Sequence, residues 1–410
     1  MQATLRPERM VHGGYALARD ARGRVVLIEG ALPGETVEVE VGRRAGVAAA
    51  RVTSVLDASP DRIEAPAHPG LDLGFVSYPR QLALGAEVLR DAARRSGVAL
   101  PDVGIAVTPS PQPWGYRNVV QPAVQGGRLG YRLPHSDDVR LLDEDPTATP
   151  AVRTAWDRVV SVGLPSSVAE VVLRGNDDGE VLAALITRAA PRSLVDLAHR
   201  LVDAGLAGVA AAAWDARGRF RAGKSRLAGA RAIRQRYGRL TLTLSATAFA
   251  QPNPAAAGLM LEALEEMASG GGVAYELFAG SGVIALHLAA RYRELVAIEI
   301  ASEGVARGRA DAARLDMDHV RFVRGDARTA YLSRVDTLVV DPPRAGLAKP
   351  LRAAIDASTA RELLYVSCDV ATWARDAADF TARGWRLTEV RAFDFQPHTH
   401  HLELATRFER

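Results

Sequence analysis

Short apolar runs recur through the last part of the chain at Val273–Leu277, Leu295–Ile298, Val320–Val323, Thr337–Val340 and Leu363–Val366. Stretches with helical spacing separate them, and this alternation predicts a doubly wound, mostly parallel sheet. The first 57 residues have another rhythm. Arg24–Ile28, Thr36–Val41 and Ala48–Val55 predict short strands, with Leu32-Pro33-Gly34 as a turn between the first two. Several short strands in so small a span predict a small barrel. In between, Pro79–Arg95 has helical periodicity, with Leu82, Ala86, Leu89 and Ala93 on one face. Val168–Leu173 and Val181–Thr187 predict strands joined by the turn Asn176–Gly179, and Leu194–Ala204 predicts a helix. No catalytic motif stands out in this middle region.

Length changes the picture first: 410 residues are too many for one ordinary domain. Hydrophobic residues at 48% and charged residues at 24% give the balance of a soluble globular protein. No apolar run reaches the roughly 20 residues of a membrane span. The segment from Met1 to Pro7 lacks the apolar stretch of a secretory signal, so the expected location is the cytoplasm. Net charge is +3, and only Lys224 and Lys349 among the 51 basic residues are lysines. That skew reads as composition bias and gives no argument for a nucleic-acid partner. The single cysteine, Cys368, excludes an intrachain disulfide framework and any all-cysteine metal cluster.

Candidate chemistry gathers at the ends of the predicted parallel strands. Val273–Leu277 runs into Phe278-Ala279-Gly280-Ser281-Gly282. Glycines at a strand-to-helix turn let backbone pass close to a ligand. Glu299 ends the next strand, where a carboxylate can accept from two ribose hydroxyls, and Asp326 after the third strand can meet an adenine edge. The order fits an adenosyl ligand. Gly280 to Ala285 also satisfies the G-x-G-x-x-G/A dinucleotide pattern, so a nicotinamide-dependent dehydrogenase is a rival reading. Asp341-Pro342-Pro343-Arg344 forms a rigid loop after the fourth strand; an aromatic residue in the last place would suit methylation of exocyclic amines, and Arg344 argues against it. The fifth strand ends at Ser367-Cys368-Asp369. A lone cysteine is usually a small buried apolar residue, but this one stands beside the cofactor crevice. Pro397-His398-Thr399-His400-His401-Leu402-Glu403 is rich in histidine, yet no second ligand cluster accompanies it, and no metal is expected.

Asp341-Pro342-Pro343-Arg344-x-Gly346-Leu347, Ser367-Cys368-Asp369-x-x-Thr372-x-x-Arg375-Asp376 and Pro397-x-Thr399-x-His401-x-Glu403 together resemble the class I RNA uracil-5-methyltransferases. Phe249-Ala250-Gln251 and Tyr116-Arg117-Asn118 resemble further family patterns. Gly13-Gly14, Gly23-Arg24-Val25-Val26 and Ala31-Leu32-Pro33-Gly34-Glu35 resemble a TRAM domain, an OB-like RNA-binding module. The resemblance covers nearly the whole chain. It implies a multidomain α/β protein with a TRAM/OB-like barrel at 1–57, a central α+β domain at 58–240 and a Rossmann-like methyltransferase domain at 241–410. It implies S-adenosylmethionine as cofactor, RNA as partner with ribosomal RNA favoured over tRNA, Cys368 as nucleophile toward carbon 6 of uracil, and Glu403 as base. Gln251, Phe278, Gly280, Gly282, Glu299, Asp326 and Asp341 would line the cofactor or target base. A monomer is expected. Two departures matter. Asp369 stands where the family usually has asparagine, and its charge should disfavour the thiolate unless paired, for instance with an arginine. Glu64 to Gln81 lacks the cysteines that hold an iron–sulfur cluster in many relatives, so no cluster is expected. An RNA amine or ribose methyltransferase with a structural Cys368, and a non-catalytic RNA-binding protein, stay open beside the dehydrogenase.

Overall fold

The computed structural model describes residues 2–44, 47–101, 104–134, 136–215 and 224–410; Met1, part of the N-terminal reading above, lies outside them. The fold is mixed α/β with several sheets, each over its own apolar core. The N-terminal sheet has six strands in the order Gln2–Leu5, Thr36–Arg44, Val47–Asp57, Val25–Glu29, Tyr15–Arg19 and Arg9–Val11. The three predicted strands are all present. The first, fifth and sixth in that spatial list escaped prediction because they are short or lie against glycine and charged residues.

The middle of the chain forms an eight-stranded sheet around the antiparallel pair Val168–Gly175 and Val181–Thr187. Helices Pro150–Val162 and Val195–Asp203 cover it, placing Trp156, Leu197 and Leu201 in its core. The predicted turn is confirmed at Gly179, where φ is +82°.

The sheet that carries the chemistry also has eight strands. Its order is Val320–Arg324, Tyr292–Glu299, Gly271–Leu277, Thr337–Val340, Glu362–Ser367, Glu403–Glu409, Arg386–Phe393 and Val107–Thr108. The first five pair in parallel, and they are the five the apolar runs predicted. Most of their side chains are apolar on both faces, as in parallel sheets covered by helices on both sides, with exposed Arg321 and Arg324 on the edge strand as exceptions. Glu403–Glu409 is antiparallel to both neighbours and fills the place between Glu362–Ser367 and Arg386–Phe393.

The helix Tyr78–Arg95 joins two cores. Its Ala86, Leu89 and Ala93 pack into the core of the parallel sheet, as the predicted face requires, while Leu84 packs into the N-terminal core. Residues 78–95 and the strand Val107–Thr108, both inside the span read as central, therefore pack on the C-terminal sheet. The hairpin Ile233–Tyr237 and Leu240–Leu244 contributes Tyr237, Leu242 and Leu244 to the second apolar core of that sheet.

Candidate active site

The cofactor loop is shaped by its glycines. Phe278, Gly280 and Gly282 all have positive φ, at +64°, +58° and +79°. Gly282 is doubly constrained, because a Cβ there would lie 2.3 Å from the Phe322 ring. Glu299 holds the loop from the neighbouring strand: one carboxylate oxygen accepts from the Gly280 amide (2.9 Å) and the other from the Ala301 amide (2.6 Å). Each oxygen keeps a lone pair for a further donor. Asp326 caps the short turn Ala327–Thr329 and is ion-paired with Arg328 at 2.6 Å. Gln251 lies half-buried in the loop before helix Pro254–Met267, its carbonyl accepting from the Tyr237 hydroxyl at 3.0 Å.

Register brings the two proposed reactive residues together. Ser367 is paired with Leu404, so Cys368 and Glu403 follow one step beyond the last pair of antiparallel strands. Asp341 follows Val340 on the adjacent parallel strand, whose partner is Tyr365. Cys368, Glu403 and Asp341 thus converge at one end of the sheet. Burial pushes the Cys368 thiol up to about 11; the carboxylates of Glu403 and Asp341 push the same way and Arg344 opposes them. Burial, together with Asp341, holds Glu403 well above the usual carboxylate range, and one of its buried oxygens has no hydrogen-bond partner. Burial also raises Asp341, to about 7.

A fourth acid belongs to this group. Glu276, on the central strand, is raised by burial and by the nearby Asp341 and Glu299. It accepts from the Ala285 amide at 2.8 Å, in the first turn of helix Val283–Leu288. Sequence reasoning missed it. The available signal was a charged residue one step from the end of an otherwise apolar buried strand.

The proline loop is latched from behind. Asp376 is fully buried; its carboxylate accepts from the Leu347 amide (2.7 Å), Tyr365 hydroxyl (2.8 Å), Arg352 (2.8 Å) and Arg375 (2.8 Å). Arg375 also donates to the Ala345 carbonyl and Thr372 to the Arg344 carbonyl. Thr372, Arg375 and Asp376 lie three and four positions apart on helix Val370–Ala382, hence on one face. Gly346 passes over that face with φ of +70°, where a Cβ would lie 2.6 Å from both Arg375 and Asp376.

Asp369 caps the same helix through the Thr372 amide at 2.8 Å. The partner of its charge is a histidine, not the arginine suggested above: His12 Nε2 lies 3.3 Å from its carboxylate. Burial opposes ionisation of Asp369, but the His12 contact and the Thr372 amide outweigh it and hold the carboxyl well below the usual range. The charge is engaged away from the thiol, and His12 reaches it from the turn between two strands of the N-terminal sheet. Among the described residues no group of three or more histidine, cysteine or acidic side chains is arranged to hold a metal ion. His400 is paired with Asp72, His398 sits between Gln81 and the Pro113 carbonyl, and His401 contacts Arg344 at 3.2 Å.

Four carboxyl groups, Glu276, Glu299, Asp341 and Glu403, thus cluster at the ends of parallel strands, with Arg344 as the nearby cation that opposes Glu403. Such a cluster suits a positively charged adenosyl ligand better than an anionic dinucleotide. A glycine loop after the first strand, a carboxylate at the end of the next and a cluster of acids at the strand ends suit an S-adenosylmethionine-dependent methyltransferase. The family described as tRNA (Uracil-5-)-methyltransferase matches residues 232–332 and 329–410. A 23S rRNA (uracil(1939)-C(5))-methyltransferase of Alkalilimnicola ehrlichii is 33% identical, with 97% of this chain and 94% of that protein covered. One of Halomonas elongata, with the same description, is 31% identical over 96% of this chain and 86% of that protein. The chain belongs to the RNA uracil-5-methyltransferase family. The solved structure of Pyrococcus abyssi tRNA (uracil-54, C5)-methyltransferase, in complex with S-adenosyl-L-homocysteine, has the same fold over 100% of both chains, with a TM-score of 0.80 at 22% identity.

Proposed function

We propose that this protein methylates carbon 5 of a uridine in ribosomal RNA through a covalent adduct on Cys368. The observation that carries the mechanism is the convergence of the thiol, Glu403 and Asp341 at one strand end. The preference for ribosomal RNA is supported by two relatives above 30% identity, each described as acting on 23S rRNA. S-adenosylmethionine, when bound, supplies an electrophilic methyl group and a positive charge beside Asp341 and Glu276. Carbon 5 of uracil is too weak a nucleophile to accept that methyl unaided. Cys368 sulfur, after releasing its proton to water, adds to carbon 6 and pushes the electron pair of the ring double bond toward carbon 5 as an enolate. Carbon 5 then attacks the methyl group, and the methyl–sulfur bond breaks with its electron pair left on a neutral thioether, S-adenosylhomocysteine. Glu403 removes the carbon-5 proton, the ring double bond re-forms, and sulfur leaves carbon 6. A base with raised proton affinity in a dry pocket is suited to that abstraction once it is ionised. Glu299, Phe278, Gly280, Gly282, Gln251 and Asp326 would hold the adenosyl group, and Asp341 would hold the cofactor or base. The target uridine is unpaired or flipped out, since a stacked base cannot reach the strand end.

The proposed division of labour takes residues 1–57 as an OB-like RNA-binding module, the sheet between Val119 and Gly229 as the central domain, and 241–410, with the helix Tyr78–Arg95, the strand Val107–Thr108 and the hairpin from Ile233 packed on it, as the Rossmann-like methyltransferase domain. The test compares two variants. Cys368→Ala forms no covalent RNA adduct. Glu403→Gln transfers the methyl group and then stalls as a methylated, protein-linked RNA that survives denaturation. Normal turnover by Glu403→Gln removes it as the base, and an adduct on Cys368→Ala removes the cysteine as nucleophile. Mapping 5-methyluridine in RNA from cells lacking the gene identifies the site; loss of the modification from tRNA alone overturns the ribosomal assignment.

A further inference from the structure

Trp114 is held in place and yet left open. Its indole stacks on the His398 ring at 3.7 Å between centroids and 19° between planes, and the residue remains 39% exposed. The ring beneath it is fixed. His398 has positive φ (+69°), its Nδ1 meets the Gln81 amide at 3.0 Å and its Nε2 meets the Pro113 carbonyl at 3.0 Å. The loop bearing Trp114 is tied to the same neighbourhood: the Tyr116 hydroxyl donates to the Pro397 carbonyl (3.1 Å), and Arg117 donates to Gln396 (3.3 Å). His398 lies five positions before Glu403, in the loop that delivers the base to the sheet. Folding alone gives no reason to fix a tryptophan on a rigid ring and leave it partly in water. A single exposed aromatic is ordinary, but a braced one beside a catalytic crevice is a platform.

We propose that Trp114 stacks on the RNA base that flanks the target uridine. The inference rests on the proposed action at a flipped uridine. Extruding a base removes a stacking partner from its neighbour, and a rigid indole at the rim replaces it. Arg117, donating to Gln396, and Arg344, in contact with His401, bring positive charge to the loop on which Trp114 is braced, as a strand's phosphates require. Stacking is tolerant of base identity, so Trp114 contributes affinity and positioning while sequence choice is made elsewhere.

The experiment uses the full chain and unmodified total RNA from cells lacking the gene. Methyl transfer from labelled S-adenosylmethionine is followed for wild type, Trp114→Ala and Trp114→Phe. Loss of one base–aromatic stack raises the KM for RNA by about 5- to 150-fold in Trp114→Ala. Affinity for S-adenosylhomocysteine and Tm stay at wild-type values, kcat falls little, and Trp114→Phe recovers most of the loss. Unchanged KM in Trp114→Ala overturns the proposal, as does a lower Tm with a fall in kcat that phenylalanine does not repair, because that pattern marks a brace for His398 only. If wild type itself transfers no methyl group to carbon 5 of uridine, the underlying reading fails instead, and the two failures are told apart.

Discussion

Cys368 is held as a thiol. With its proton affinity raised to about 11, the unliganded protein carries little thiolate at neutral pH. Alkylation by iodoacetamide should therefore be slow at pH 8 and rise about tenfold per pH unit toward pH 11. Arg344 is the cation that opposes this rise, so Arg344→Gln should move the limb to higher pH and slow alkylation further. Mass spectrometry reads the result cleanly, because the chain has one cysteine. A fast reaction at pH 7 in the free protein would contradict the geometry. At this scale the sequence made Glu299, Asp341 and Cys368 legible, since each stands at the end of a predicted strand, and Glu403 legible through the motif that it closes. Glu276, His12 and the Trp114–His398 stack were not legible, because each gains its meaning from a partner far along the chain.

Among the elements, helix Val370–Ala382 does more than cover the sheet: its Asp376 gathers four donors and holds the proline loop in place. Removing one partner of a buried ionic network costs about 3–5 kcal/mol. Asp376→Ala should lose stability on that scale in denaturant unfolding, and lose activity too, although Asp376 touches no reacting atom. A stable Asp376→Ala protein with full turnover would show that the latch is idle. The five parallel strands were readable because strands covered on both faces are continuously apolar. Arg386–Phe393 and Glu403–Glu409 were not, for charged side chains along both break the pattern. The short edge strand Val107–Thr108 has too few residues to show any period.

For the whole molecule, the N-terminal sheet is docked onto the catalytic end and not merely tethered to it. Arg9 meets Asp91 at 2.5 Å, His12 meets Asp369, and Leu84 lies in the N-terminal core together with Leu73 and Phe75. Deleting residues 1–57 would expose that apolar face, so point changes are the sharper probe. Arg9→Ala combined with His12→Ala should raise the KM for RNA several-fold and leave S-adenosylhomocysteine affinity within about twofold, read by methyl transfer and by calorimetry. Equal losses of both affinities would mean that the N-terminal sheet supports the cofactor crevice itself.

The position of strand Glu403–Glu409 sets an order of events for the growing chain. It fits between two strands that are both synthesised before it, so the sheet stays split until it arrives. Until then two open edges face each other across a gap, each a template for wrong pairing. The residue that opens the inserted strand is Glu403, so closing that gap and delivering the catalytic base are one step. A nascent chain on the ribosome cannot form the reactive pair ahead of its sheet, and a product cut short before residue 403 is both inactive and prone to aggregate.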